Sequence, residues 1–288
     1  MSIVDLAQTY RQPLSVDAAI SALGGGAVAL AGGTWIMRAP LRDEDIDRIF
    51  VSLAKIPALH LISVDAGRLK LGALVTHHAL AAAVVSLPEM AALAQAAGHS
   101  ANPAIRRTAT IGGNICTQGF AAADLVPACV ALGASVAVQS AAGASTLPIE
   151  DYMRTRASRP EDEILCTISV PRRPGRSAHA RGLLRQAGEY PVANVSVYLE
   201  LDKHGMIATL RIAVGAVEAL PKRWRSLEQA LTGQPLKTPL VADLVQSLTD
   251  EFTPRDGIDA PGWYRLRILP RLVEQAFGDV AAQMEGAG

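Results

Sequence analysis

The chain has 288 residues, half of them apolar, which is enough to bury a substantial core and suggests two domains more readily than one. Lys and Arg together number 27, as do Asp and Glu, so no excess positive field draws nucleic acid or anionic lipid and those partners are disfavoured. The N-terminal segment lacks the basic start and apolar run of a signal peptide. The longest apolar stretch, Leu125–Val138, is interrupted by Pro127 and Gly133 and is too short to span a bilayer, so a soluble, cytoplasmic protein is expected.

In chain order, Ser15 and the apolar spacing after it predict a short helix that stops at Gly24-Gly25-Gly26. Ala27–Ala31 reads as a buried strand emptying into a first glycine loop, Gly32-Gly33-Thr34. Three short segments at 50–53, 60–64 and 68–71 predict one small mixed sheet. Alanine-rich helices are predicted over about 78–86 and 88–98, the second opened by Pro88. A second glycine loop, Thr110–Asn114, then leads to a helix over 124–132 and strands at 135–139 and 164–170.

Pro171-Arg172-Arg173-Pro174-Gly175 breaks the pattern and is the expected domain linker. Beyond it, 195–201 and 207–214 predict a hairpin across Asp202-Lys203-His204-Gly205, and 224–278 reads as helical. Strands followed by helices imply an α+β second domain.

Few residues offer chemistry of their own. Cys116, Cys129 and Cys166 are too few and too widely spaced for a disulfide framework or a metal or iron–sulfur ligand set, and read mostly as small buried hydrophobes. His77 and His78 are neighbours at a helix start without accompanying carboxylates, so packing, with Thr76 as the cap, is the expected role. The two glycine pairs, Gly32-Gly33 and Gly112-Gly113, are more suggestive. Glycine permits positive φ and close backbone approach, so successive N–H groups can converge on a phosphate. Neither loop has the pattern of a nicotinamide-binding βαβ unit or the lysine of a nucleoside-triphosphate loop, and by pattern alone each could be only a tight turn.

Taken in order, Ala31-Gly32-Gly33-Thr34, Thr110-Ile111-Gly112-Gly113-Asn114-Ile115, Ala123-Asp124-Leu125-Val126-Pro127 and Glu163-Ile164-Leu165 resemble the motifs of the FAD-binding (medium) subunit of molybdenum hydroxylases. Val214-Gly215-Ala216-Val217, Pro221 and Arg223 resemble the C-terminal domain of the same family. The resemblance implies an α+β chain. Its two-lobed FAD-binding domain, of the PCMH type, would occupy 1–173, with lobes of about 1–58 and 59–173, and a smaller domain of antiparallel sheet plus helices would occupy 177–288.

It also implies cofactor contacts. Ala31, Gly32, Gly33, Thr34 and Trp35 on the first loop and Thr110, Ile111, Gly112, Gly113 and Asn114 on the second would embrace the FAD pyrophosphate, and the loop that carries Thr117 would lie near the flavin. Asp124 would accept hydrogen bonds from sugar hydroxyls, although it could instead cap the next helix; Leu165 would give a backbone contact on the adenine side. Tyr190, in Gly188-Glu189-Tyr190, would lie against the isoalloxazine. The chain departs from the family at Cys116–Phe120, where an Asn-Ala-Ser-Pro stretch is common, and at Trp35-Ile36-Met37, where small or polar residues are frequent.

No side-chain acid or base and no metal ligand on this chain is implied. The expected function is that of an oxidoreductase flavoprotein subunit. It would pass electrons from the [2Fe–2S] clusters of a small subunit through FAD to an external acceptor, beside a large subunit carrying the molybdopterin cofactor, in a dimer of heterotrimers. Two other readings remain open at this point: a self-contained FAD oxidoreductase with its own substrate pocket, and an assembly protein that has lost the cofactor.

Overall fold

In a computed structural model, the structure describes residues 10–46, 48–184, 189–236 and 238–285. Gly188, the first residue of the Gly-Glu-Tyr motif, lies outside them. The chain forms three sheets. The first contains β1 (Tyr10–Arg11), β2 (Val28–Leu30) and β3 (Phe50–Ser52), with β3 in the middle and both neighbours parallel to it. Helix α1 (Val16–Ala22) connects β1 to β2 and starts where Ser15 accepts the Ala18 N–H. Its buried Ala19 and Ile20 join Leu23, Val51, Leu53 and Leu74 in a small core beneath this sheet.

The second sheet contains β4 (Ile62–Val64), β5 (Arg68–Gly72), β6 (Ser135–Ser140), β7 (Gly143–Pro148) and β8 (Ile164–Pro171), all antiparallel, in the order β4-β5-β8-β6-β7. The single small sheet expected over 50–71 is therefore divided. Residues 50–52 pair in the first sheet while 62–64 and 68–72 pair in the second, because a 3-10 turn at Pro57–His60 redirects the chain.

Between β5 and β6 run α2 (His77–Val84), α3 (Ala91–His99), α4 (Pro103–Arg106), α5 (Ile111–Cys116) and α6 (Leu125–Ala131); α7 (Ile149–Thr155) follows β7. Thr76 caps α2 by accepting the Ala79 N–H, as its position before the two histidines suggests. The predicted loop at 110–114 is instead the start of α5, capped by Thr110, whose hydroxyl accepts the Gly113 N–H. Two adjacent glycines disfavour a helix, yet tertiary pairing overrides that preference: Ile111 N–H donates to Val75 O, and Gly112 N–H to Ala73 O.

The third sheet contains β9 (Arg176–Gly182), β10 (Ala193–Leu201), β11 (Ile207–Gly215) and β12 (Lys222–Arg223), antiparallel in the order β12-β11-β10-β9. Helices α8 (Arg225–Leu231), α9 (Thr238–Ser247), α10 (Gly262–Arg267) and α11 (Leu269–Glu285) complete this part, with Trp224, Leu272, Val273 and Phe277 buried against β10 and β11. The connection between β8 and β9 is short and tied down. Arg172 donates to Gly67 O from its backbone and pairs with Glu89 at 2.8 Å through its side chain.

Helix α6 is wholly buried, packed on β10 and β11 of the third sheet and on helices α3 and α5, and is held at both ends by arginines of that sheet. Arg211 of β11 donates to the terminal carbonyls of Val130 and Ala131, which have no partner within the helix. Arg181 of β9 pairs with Asp124 at the other end. Among the described residues no helix is long and apolar enough to cross a membrane.

Candidate functional site

Residues 31–35 form the turn that carries the chain out of β2, with Gly33 at φ +69°. Among the described residues, the N–H groups of Gly32, Gly33, Thr34 and Trp35 meet no acceptor. A run of free backbone donors about a left-handed glycine is the arrangement that binds anions. It therefore fits a pyrophosphate.

The second glycine pair lies beside this turn. A Cβ on Gly113 would sit 3.9 Å from the Ala31 Cβ and 2.9 Å from the Thr110 hydroxyl. A Cβ on Gly32 would lie 2.0 Å from Thr108 O, and one on Gly112 would lie 2.6 Å from Ala73 O. Of the four glycines only Gly33 has positive φ. Gly32 and Gly112 answer a different need, backbone packed on backbone with no room for a side chain, whereas a Cβ on Gly113 would press on the Thr110 side chain.

Three rings complete the site. Trp35 and Phe120 have centroids 4.6 Å apart, Phe120 and Tyr190 5.0 Å, and Trp35 and Tyr190 6.4 Å. They come from the first glycine turn, the connection between α5 and α6, and the connection between β9 and β10. Tyr190 is exposed and accepts a hydrogen bond at 3.0 Å from Arg38, while the guanidinium of Arg42 lies 4.1 Å from the Trp35 ring centre.

The other predicted residues divide by role. Asn114 accepts the Leu125 N–H and so joins α5 to α6, and the Thr117 hydroxyl donates to Gly113 O at the end of α5. Ile111 is core. Leu165 is buried in β8, which packs against α5, and is not brought to the three rings by any contact of its side chain. Of the three cysteines, read mostly as small buried hydrophobes, Cys129 is buried, while Cys116 is exposed and Cys166 half-buried.

Asp124 makes no side-chain cap for α6. Its buried carboxylate receives a forked pair of bonds from Arg181 at 2.8 and 3.1 Å and one from Asn194 at 3.2 Å. The His179 Nε2 lies 3.5 Å away. Burial pushes the Asp124 carboxyl up, but the His179 ring and the Arg181 guanidinium together pull it further down, leaving it below the ordinary carboxylate range. Phe120, Arg38, Arg181 and Asn194 are the contributors that sequence motifs miss. An aromatic in a glycine-bearing turn was the one available hint for Phe120.

His77 is buried, with Nδ1 2.7 Å from the Ser100 hydroxyl, and burial pushes its pKa down to about 4. The unfolded chain would bind this proton near pH 6.5, so the contribution of neutral His77 to stability is complete above that pH and is lost as pH falls towards 4. The loss amounts to about 3 kcal/mol at 1.36 kcal/mol per unit. Urea unfolding at ~pH 7.5 and ~pH 4.5 should show this difference, and His77→Gln should flatten it. An equally steep fall in the variant would assign the pH dependence elsewhere.

Comparison with known proteins covers most of the chain. Residues 6–173 match the FAD binding domain in molybdopterin dehydrogenase, and residues 179–280 match the CO dehydrogenase flavoprotein C-terminal domain. The chain is 27% identical to the xanthine dehydrogenase FAD-binding subunit of Escherichia coli O157:H7, over 96% of this chain and 97% of that protein. It is also 27% identical to the carbon monoxide dehydrogenase medium chain of Afipia carboxidovorans, over 93% and 96%. Among solved structures, CO dehydrogenase from Oligotropha carboxidovorans superposes with a TM-score of 0.85 at 25% identity, covering 96% of this chain and 98% of that one. Quinoline 2-oxidoreductase from Pseudomonas putida 86 shares the fold, with a TM-score of 0.86 at 24% identity and coverage of 98% and 99%. The chain thus belongs to the family of FAD-binding subunits of molybdenum hydroxylases, an oxidoreductase family with a PCMH-type FAD domain and a C-terminal α+β domain.

Proposed function

We propose that this chain holds FAD in a heterotrimeric complex. A small subunit with two [2Fe–2S] clusters would deliver electrons and a large subunit with the molybdopterin cofactor would perform the hydroxylation, two such trimers associating in the cytoplasm. The reading takes residues 1–173 as the flavin domain, with lobes near 1–58 and 59–173, and residues 177–288 as the domain that closes over it. Its main support is the run of free N–H groups from Gly32 to Trp35 beside Gly113, with Trp35, Phe120 and Tyr190 grouped next to it.

In this reading the backbone at 31–35 and the start of α5 at 110–114 hold the pyrophosphate. Thr117 and Asn114 fix the shape of α5, Asp124 anchors the second domain, Leu165 lines the adenine side, and Tyr190 shields the isoalloxazine. FAD, when bound, supplies one- and two-electron chemistry; the chain supplies binding, orientation and exclusion of water. No side chain here is needed as an acid or base.

Tyr190→Ala should leave FAD bound while altering the absorbance, fluorescence or reduction potential of the flavin, because it removes a neighbour of the ring and no phosphate contact. Flavin titration and a potentiometric scan of the variant test this. A flavin spectrum and potential identical to those of the unsubstituted chain would take Tyr190 out of the site.

A further inference from the structure

We propose that Arg181 is the positioning residue that sets Tyr190 over the flavin site, an inference that rests on the FAD reading above. Arg181 stands next to last in β9, with its side chain 7% exposed, and its guanidinium touches three separate segments. Nε and one terminal nitrogen donate to the two carboxylate oxygens of Asp124. That same terminal nitrogen donates to Glu189 O at 3.0 Å, and the other donates to His99 O at 2.6 Å.

Two of these partners adjoin the rings. Glu189 immediately precedes Tyr190, and Asp124 ends the connection that carries Phe120. One rigid planar fork therefore fixes both segments whose rings meet at 5.0 Å. Arg181 touches no ring itself, so it acts through Tyr190. Lysine could not substitute, because one ammonium has no fork to engage both carboxylate oxygens and a carbonyl on the far side.

The alternative is a strut that merely holds the third sheet against α6. Arg211 does that at the other end of the helix and has no contact with the 189–190 segment. The two roles separate experimentally.

The full chain loaded with FAD is compared as Asp124→Asn, as Asp124→Asn combined with Arg181→Met, as Arg181→Lys, and as Tyr190→Ala. Removing both charges together leaves neither charge buried without its partner, and circular dichroism with urea unfolding checks that the combined variant is folded before its flavin is read. The readouts are the FAD dissociation constant, the flavin absorbance spectrum and the flavin midpoint potential. Adding Arg181→Met to Asp124→Asn should change FAD affinity by less than about tenfold. It should reproduce the spectral and potential shift of Tyr190→Ala, and Tyr190→Ala added on top should change nothing more. Arg181→Lys should show the same shift.

Arg181→Met in that background with the spectrum and potential of its Asp124→Asn parent, while Tyr190→Ala shifts both, would overturn the proposal. Complete loss of FAD on adding Arg181→Met would overturn it too, by making Arg181 part of binding. If the unsubstituted chain takes up no FAD, the flavin reading itself fails, which is a different result from either.

Discussion

Gly32→Ala should lose FAD on gel filtration and lower the unfolding free energy by about 3 kcal/mol. The added methyl would lie 2.0 Å from Thr108 O and 2.9 Å from the carbonyl carbon, and backbone cannot swing aside as a flexible side chain would. Overpacking of this kind costs about 1–3 kcal/mol even where side chains can adjust, so the upper end applies here. Relief requires the 31–35 turn to move away from the turn before α5, which separates the two glycine segments and scatters the free N–H groups. Gly33 offers a contrast, because its site has room: its nearest neighbours to an added Cβ lie at 3.5 and 3.6 Å. Alanine there meets only the strain of a left-handed φ, of order 1 kcal/mol, and should weaken FAD binding less. Flavin content and urea unfolding of the two variants check the order. Full flavin content in folded Gly32→Ala would mean that this turn does not cradle the pyrophosphate.

Asp124→Ala should lower stability by about 3–5 kcal/mol, the usual cost of leaving one partner of a buried ion pair without the other. Arg181 is as buried as the carboxylate it grips, and Asn194 would lose its acceptor as well. The effect should be pH-dependent in the unsubstituted chain. The folded Asp124 carboxyl lies below the ordinary range, so its contribution is complete above the unfolded value near 3.9 and is lost as pH falls through the lower folded value. Below that point wild type and Asp124→Ala should converge. Thermal unfolding of both proteins at neutral and acidic pH measures the gap. A gap that persists undiminished at the lowest pH would place the energy in packing and not in the ion pair.

Much of the architecture is legible in the sequence, for identifiable reasons. Residues 193–201 and 207–215 are apolar and β-branched around a turn of Asp202-Lys203-His204-Gly205, so the hairpin announces itself locally. Ser15 announces α1 in the same way. Residues 143–148 and 176–182 do not: Gly-Ala-Ser-Thr-Leu-Pro and Arg-Ser-Ala-His-Ala-Arg-Gly lack the alternation of a strand and take that form only because a neighbour offers its ladder. The start of α5 shows the opposite effect, a glycine pair held helical by contacts with residues 73–75. At the site, the glycines stand out as letters, but why Gly32 and Gly112 must be glycine is visible only once the Thr108 and Ala73 backbones are seen against them. The Trp35, Phe120 and Tyr190 rings are far apart in the chain, and the fork of Arg181 joins segments that no sequence window contains together.

The most direct test is the cofactor content of the purified full chain expressed alone and then together with the small and large subunits. The account predicts about one FAD per chain in the lone protein, no iron or molybdenum, and no hydroxylase turnover, since three cysteines cannot supply the four ligands of a [2Fe–2S] cluster. Among the described residues no group of His, Cys, Asp and Glu side chains is placed to hold a metal. Co-expression should yield a stable complex containing all three cofactors and reducing its acceptor through this flavin. A colourless chain that takes up no FAD on titration, or hydroxylase turnover by the metal-free chain alone, would contradict the account.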